Sequence, residues 1–191
     1  MARTLRTFLA IELPRGVRRK VAKLIEQLAA SPAKVKWVDE SNLHLTLQVL
    51  GEVEPDLLPE ICGVVEQATA DLAGYELEIA GVGAFPTAER PRTVWVGSGE
   101  GSEATVAVHD AIGEALAELG FRTEQRRFRP HVTIGRVRRS SADEIARLAE
   151  DLAETADFVA GWMPVSEVVL FSSLLGREGP TYDVLARSAL G

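Results

Sequence analysis

His44-Leu45-Thr46-Leu47 and His131-Val132-Thr133-Ile134 share one pattern: a histidine, an apolar residue, a threonine and an apolar residue. The chain has three histidines in 191 residues, and two of them stand in this setting. Hydrophobic residues make up 46% of the chain and threonine about 6%. At that composition a histidine opens the pattern by chance roughly 1% of the time, and two of three do so in roughly 5 chains per 10,000. Successive side chains on a β-strand point to opposite faces. His44 and Thr46 therefore share one face while Leu45 and Leu47 enter a core. The same split holds for His131 and Thr133 against Val132 and Ile134. Two such strands, 87 positions apart, predict two similar halves whose motif strands face one cleft. Two imidazoles flanking a cleft can supply a base and an acid to one reaction, because an unperturbed pKa of about 6.5 permits either form near neutral pH.

Working outward, the chain reads as strand, helix and short strand before the first motif. Thr7 to Leu13 is predicted as a strand. A helix opens at Pro14, with apolar residues at 17, 21, 24, 25 and 28, and ends near Ser31-Pro32. Val35 to Val38 is a short extended piece, and Leu43 to Leu50 is the first motif strand. Asp56 to Leu72 is predicted helical, Tyr75 to Val82 a half-buried strand, 81–92 a loop, and Thr93 to Gly97 a strand. The glycines at 97–101 lack phosphate-loop spacing and mark a turn. A helix over Glu103 to Leu119 ends at Gly120, which suits a C-cap. Phe128 to Val137 is the second motif strand. Ser140 or Ser141 caps a helix reaching Ala156. Pro164 to Leu174 and Tyr182 to Ala186 close the chain around a turn at 176–180. This order predicts an α+β protein with two mainly antiparallel sheets facing a central cleft and helices outside. Residues 1–191 are expected to form a single two-lobed domain of two loosely similar halves.

Composition limits the function classes. A chain of this length buries enough surface to fold without a disulfide or metal. Cys62 is the only cysteine, so no internal disulfide is possible, which favours a reducing compartment. Its apolar helical setting predicts a buried structural thiol. The apolar run Phe8 to Ile11 is too short for a signal peptide or membrane span. A soluble cytoplasmic protein without membrane attachment is expected, and nothing requires more than a monomer. The net charge of −7 argues against general nucleic-acid coating. Yet Arg126, Arg127, Arg129, Arg136, Arg138 and Arg139 crowd around His131, with Arg90 and Arg92 as a smaller pair. A locally basic site on an acidic chain suits a small anion such as a phosphate.

For a cyclic phosphodiester, one neutral and one protonated histidine on opposite sides of phosphorus can activate water and protonate the leaving oxygen. Threonine hydroxyls, reinforced by Arg136, can hold the non-bridging oxygens. Zinc is a poorer account of the histidines: threonine is a weak ligand, and no HxH, HExxH or CxxC spacing occurs. Asp39 and Glu40 look like turn residues. A serine triad lacks GxSxG, and His109 has no motif around it and no role. No cofactor is expected.

The match extends beyond the two motifs. Phe8-Leu9-Ala10-Ile11-Glu12-Leu13-Pro14, Trp37-Val38, Asn42-Leu43 before the first motif, and Leu50-Gly51-Glu52 after it carry the first half. Gly83-Ala84-Phe85-Pro86, Trp95-Val96-Gly97, and Phe128-Arg129-Pro130 with Gly135-Arg136 around the second motif carry the rest. In this order they resemble the two-histidine phosphoesterases, in particular the bacterial and archaeal branch of LigT-like RNA 2′,3′-cyclic phosphodiesterases. The resemblance implies a two-lobed fold and hydrolysis of a terminal RNA 2′,3′-cyclic phosphate to a 2′-phosphomonoester. Partners would be RNA 3′ ends, or nucleotides bearing that cyclic phosphate. It implies His44 as proton donor to the leaving 3′-oxygen and His131 as the base on water, a distinction the near-identical motifs themselves do not make. Thr46 and Thr133 carry over as phosphate-binding hydroxyls, with Arg136 after the second motif. Arg129 is a further phosphate candidate, and Phe8 either lines the cleft or fills the core. Gln48 departs from the lysine or arginine that relatives often have, which shifts the expected basic contacts to the 126–139 region. Two alternatives stay open: 2′-5′ joining of RNA ends by the reverse reaction, and a non-catalytic module that binds nucleotides or RNA ends.

Overall fold

The computed structural model describes residues 4–122, 127–176 and 179–191. Arg126 of the basic cluster therefore lies outside the described residues. The first strand, β1 (Leu5–Glu12), sends Leu9 and Ile11 into the main core and Phe8 and Ala10 to the opposite face. Pro14 precedes α1 (Arg15–Leu28), where its fixed φ suits a helix entrance. The buried positions of α1 are Val17, Val21, Leu24, Ile25 and Leu28, the spacing of one helical face.

The short β2 (Val35–Trp37) leads into β3 (His44–Val53), the first motif strand. It runs three residues past the expected Leu50 because an irregularity at Leu50-Gly51, with Gly51 at φ +78°, absorbs the turn signal within the pairing. Next come α2 (Leu58–Thr69) and β4 (Tyr75–Phe85). The expected loop at 81–92 is shorter than predicted: Gly81 takes φ +80° at a register shift, and β4 continues until Phe85 pairs with Thr93 of β5 (Thr93–Ser98). The helix α3 (Ser102–Glu118) ends before Gly120, which adopts φ +84° as a C-cap glycine does.

The second motif strand, β6 (His131–Val137), starts three residues later than expected, since Pro130 has no N–H to give a ladder. Ser141 caps α4 (Ala142–Glu154) in a capping box with Glu144, while the Ser140 hydroxyl accepts from the Lys34 amide. The predicted strand at 164–174 is two strands. β7 (Val159–Val165) pairs with β4, and β8 (Glu167–Leu175) pairs with β1. Gly161, at φ +113°, and Pro164 hide β7 in the sequence, and Pro164 is tolerated because β7 is an edge strand. The last strand, β9 (Pro180–Ala189), runs beyond both ends of the predicted 182–186.

Every pairing among the described residues is antiparallel, in the order β7-β4-β5-β6-β3-β1-β8-β9, with β2 on β6. The two expected sheets are thus joined edge to edge. The join is narrow: β3 and β6 meet with Leu45 opposite Val132, both fully buried. Leu45, Leu47, Val132 and Ile134 fill the main core with the apolar sides of the helices. A small second cluster of Phe8, Ala10, Val169 and Phe171, with Tyr182 against it, covers the other face of the β1 half. Among the described residues no helix is long and apolar enough to cross a membrane.

Candidate active site

The Leu45–Val132 pair fixes what faces what. Antiparallel continuation of that register sets His44 toward Thr133 and Thr46 toward His131. The four motif side chains therefore form a two-by-two array, each histidine beside the other strand's threonine. All four are partly exposed, while the apolar residues between them are buried.

Both motif strands bulge directly after the threonine. On β1, Leu9 pairs with Gln48 and Ala10 with Thr46, so Leu47 is the extra residue. On β5, Val94 pairs with Gly135 and Trp95 with Thr133, so Ile134 is extra. A bulge reverses the in–out alternation beyond it. Gln48 and Gly135 consequently turn to the core side, and Val49 and Arg136 return to the cleft side. A Cβ at Gly135 would lie 2.7 Å from atoms of both Val35 and Trp37, so the second bulge fits only a residue without a side chain. Arg136 is exposed and shares the face of His131 and Thr133. Strict alternation from His44 and Thr46 would set Gln48 at the cleft, and the bulge at Leu47 turns it to the core instead. It is 8% exposed, and its Nε2 lies 3.2 Å from Nε2 of His109.

The two histidines are held alike. His44 Nδ1 lies 2.8 Å from the Asn42 carbonyl oxygen, and His131 Nδ1 lies 2.6 Å from that of Arg129. A carbonyl only accepts, so Nδ1 carries a proton in both rings. Nε2 is then the nitrogen whose protonation changes, and each ring's orientation is set by backbone two residues upstream.

Their surroundings differ. His44 sits in an aromatic corner, with ring centroids 4.9 Å from Phe8 and 5.2 Å from Tyr182. Burial there pushes its pKa below the ordinary histidine value, and the Asn42 carbonyl only partly offsets this by favouring the charged ring. Phe8 thus both lines the cleft and is buried. His131 meets the edge of Phe85 at 5.0 Å, and the Arg129 guanidinium stands 5.7 Å from that ring's centre. The Asn42 side-chain amide donates to the Pro180 carbonyl at 2.9 Å, tying the start of β9 to the first motif.

Sequence reasoning missed three residues at this end of the cleft. Lys36 pairs across β2–β6 with Arg136 and is exposed, while its neighbours Val35 and Trp37 take the core side. Arg6, Ser173 and Tyr182 align across β1, β8 and β9. Burial raises the Tyr182 phenol, and the charges of Arg136 and Arg6 counteract this, which locates all three groups near one another. The apolar–cation–apolar alternation at 35–37 was the available signal for Lys36. Tyr182 had none, since its placement depends on a strand order that brings β9 beside β8 and β1.

Other candidates fall away from the array. His109 lies within α3, buried, its ring stacked on Phe128 at 4.0 Å and its Nδ1 2.8 Å from Asp110. Asp39 caps the turn before the first motif, accepting from the Ser41 amide and hydroxyl, and these bonds lower its pKa. Cys62 is half-buried, which raises its thiol pKa. Among the described residues no three His, Cys, Asp or Glu side chains gather as a metal site would need.

Residues 17–177 match the family described as the 2′-5′ RNA ligase superfamily, and the chain belongs to it. An RNA 2′,3′-cyclic phosphodiesterase of Aeropyrum pernix is 34% identical over 166 residues, covering 87% of this chain and 92% of that protein. One of Methanothermobacter thermautotrophicus is 36% identical over 177 residues, covering 93% and 94%. The crystal structure of TT0787 of Thermus thermophilus superposes with a TM-score of 0.81 at 24% identity, covering 97% of this chain and 98% of that one. Escherichia coli LigT complexed with 3′-AMP gives 0.78 at 25% identity, covering 98% of each chain.

Proposed function

We propose that this protein is an RNA 2′,3′-cyclic phosphodiesterase that opens the cyclic phosphate to a 2′-phosphomonoester by metal-free acid–base catalysis. The observation that carries the reading is the two-by-two array, with both histidines presenting Nε2 and both threonines beside them. The relatives named for this activity, matched over nearly their whole length, support it. The full chain acts as one two-lobed unit of two similar halves, each contributing one motif strand, and it works as a soluble cytoplasmic monomer.

In this reading the phosphate lies between the motif strands. Neutral His131 takes a proton through Nε2 from a water attacking phosphorus. The P–O3′ bond breaks, and protonated His44 delivers its Nε2 proton to the departing 3′-oxygen. The 2′-oxygen keeps the phosphate. Thr46, Thr133 and Arg136 hold the non-bridging oxygens, where charge accumulates. Phe8 shapes the His44 side, and Arg129 holds His131 through its carbonyl while its guanidinium adds positive charge near the site. Lys36, Arg6 and the Tyr182 hydroxyl extend the anion-binding surface beyond Arg136. The family description favours a second activity of the same site. Attack by a 5′-hydroxyl in place of water, with the P–O3′ bond breaking and the 3′-oxygen taking the proton, joins RNA ends through a 2′-5′ bond.

The test is incubation with an RNA oligonucleotide ending in a 2′,3′-cyclic phosphate, in excess EDTA, with the product's phosphate position determined. A 2′-phosphate is expected. A 3′-phosphate would overturn the leaving-group assignment. Activity lost to EDTA and restored by a divalent cation would overturn the metal-free mechanism. Bound but unconverted RNA would favour a binding module.

The burial of His44 gives a pH prediction with a definite sign. In the free enzyme its lowered pKa means that the acid form is lost as pH rises through a point below about 6.5. A bound phosphodiester anion favours the imidazolium and raises that pKa. The alkaline limb of kcat, which reports the complex, should therefore lie at higher pH than that of kcat/KM, which reports the free enzyme. Coincident limbs would remove His44 as the acid.

A further inference from the structure

A cavity of about 700 Å³ opens beside His131 and is lined by Phe85, Trp95, Ser98, Ser102, Glu103 and Phe128. Its size falls within the roughly 300–1,000 Å³ of sites that take small organic molecules. The acid–base mechanism uses none of these six residues. At the other end of the array the space is filled: Phe8 and Phe171 are 8% and 7% exposed and pack around His44.

Trp95 pairs with Thr133 and so stands on the cleft face, while Val94 and Val96 on either side are fully buried. Its indole lies flat across the sheet because two neighbours have no side chain. A Cβ at Gly83 would come 2.5 Å from the indole Cζ2, and one at Gly97 would come 3.1 Å from Cζ3. Phe85 tilts beside the indole at 5.2 Å and turns its other side to His131. A flat aromatic face next to a reacting phosphate is what a planar base stacks on.

The polar rim carries both kinds of group: Arg127 and Arg129 line it as donors, and Ser98, Ser102 and Glu103 line it as acceptors. Ser102 donates its hydroxyl proton to the Gly99 carbonyl at 2.6 Å. Ser98 lies 2.7 Å from the Ser102 hydroxyl and 3.2 Å from the Pro130 carbonyl, so its proton is also committed to the protein. Both hydroxyl oxygens, and the exposed carboxylate of Glu103, can then only accept from a ligand. A base that offers N–H donors to the acceptors and ring acceptors to the arginines satisfies such a rim, and guanine, with adjacent imino and amino donors and its O6 and N7 acceptors, does so better than uracil with one N–H donor.

We propose that this cavity is a nucleobase site for the nucleotide whose cyclic phosphate lies between the two histidines, with the base stacked on Trp95 and its N–H edge toward Glu103. It rests on the phosphodiesterase reading above.

The experiment compares guanosine 2′,3′-cyclic phosphate with the base-less 1-O-methylribose 2′,3′-cyclic phosphate. Stacking predicts kcat/KM at least about tenfold higher for the nucleotide, carried mainly by KM. Trp95→Leu should shrink that ratio toward one, and Trp95→Phe should keep part of it. Equal wild-type values, or a ratio undiminished in Trp95→Leu, would overturn the base site. Guanosine should be preferred over uridine, with the preference reduced in Glu103→Gln; equal use of both would overturn the edge assignment. If neither compound turns over, the phosphodiesterase reading fails, and the site is judged by binding alone. Guanosine 2′-monophosphate should then quench tryptophan fluorescence in the wild type but not in Trp95→Leu, and ribose 2-phosphate should not quench. Equal quenching by both compounds would overturn the proposal.

Discussion

Replacing His131 by alanine is expected to lower kcat for cyclic-phosphate hydrolysis by at least about 10², and His44→Ala should do the same. Each general acid or base step contributes typically about 10²–10⁴-fold. The two rings are held by equivalent carbonyl contacts, at 2.8 Å for His44 and 2.6 Å for His131, so each keeps Nδ1 engaged and offers Nε2 for a proton transfer. The double mutant should lose little more than the worse single mutant, because a site lacking either half of the acid–base pair no longer runs the concerted step. Loss of fold is a separate outcome. Both histidines are only half-buried and the cores lie beneath their apolar neighbours, so thermal unfolding of the single mutants should stay close to wild type. Near-wild-type turnover in either folded mutant would remove the acid–base assignment.

The second large effect is expected from Arg136→Ala, a loss of about 10² in kcat/KM, comparable to removing one donor from an oxyanion site. The side chain reaches the cleft only because the bulge at Ile134 reverses the strand's alternation. It faces Lys36 across the β2–β6 pair, and like charges set opposite each other destabilise a sheet. A phosphate anion between the two relieves that repulsion. Arg136→Lys keeps the charge but not the planar fork, so it should recover only part of the loss. Steady-state rates on one cyclic nucleotide check this. An Arg136→Ala enzyme within twofold of wild type would place the phosphate elsewhere in the cleft.

How much of this is legible in the sequence follows from the range of each signal. The motif strands are readable because a period of two is local, and His44, Thr46, His131 and Thr133 fall on one side as that period requires. The amphipathic helix at 15–28 and the capping serine at 141 are readable for the same reason. The bulges are not, because a one-residue insertion is defined by what the partner strand pairs with. Strict alternation therefore sets Gln48 in the cleft, whereas it faces His109 in the core, and the cleft position falls to Val49. The strand β7 is hidden because Gly161 and Pro164 break its pattern, although an edge position tolerates both. Tyr182 and Lys36 reach the site through strand order, which no window of the sequence contains.

The most direct test of the account is a chemical rescue that separates the acid from the base. In a 2′,3′-cyclic phosphorothiolate with sulfur at the 3′ bridge, the leaving group is a thiolate with a pKa near about 8.5 and needs no proton to depart. His44→Ala is expected to hydrolyse this substrate at close to the wild-type rate, while His131→Ala stays at least about 10² slower because water still needs its base. Rescue of His131→Ala instead of His44→Ala would reverse the two roles, and rescue of neither would contradict a two-histidine acid–base mechanism.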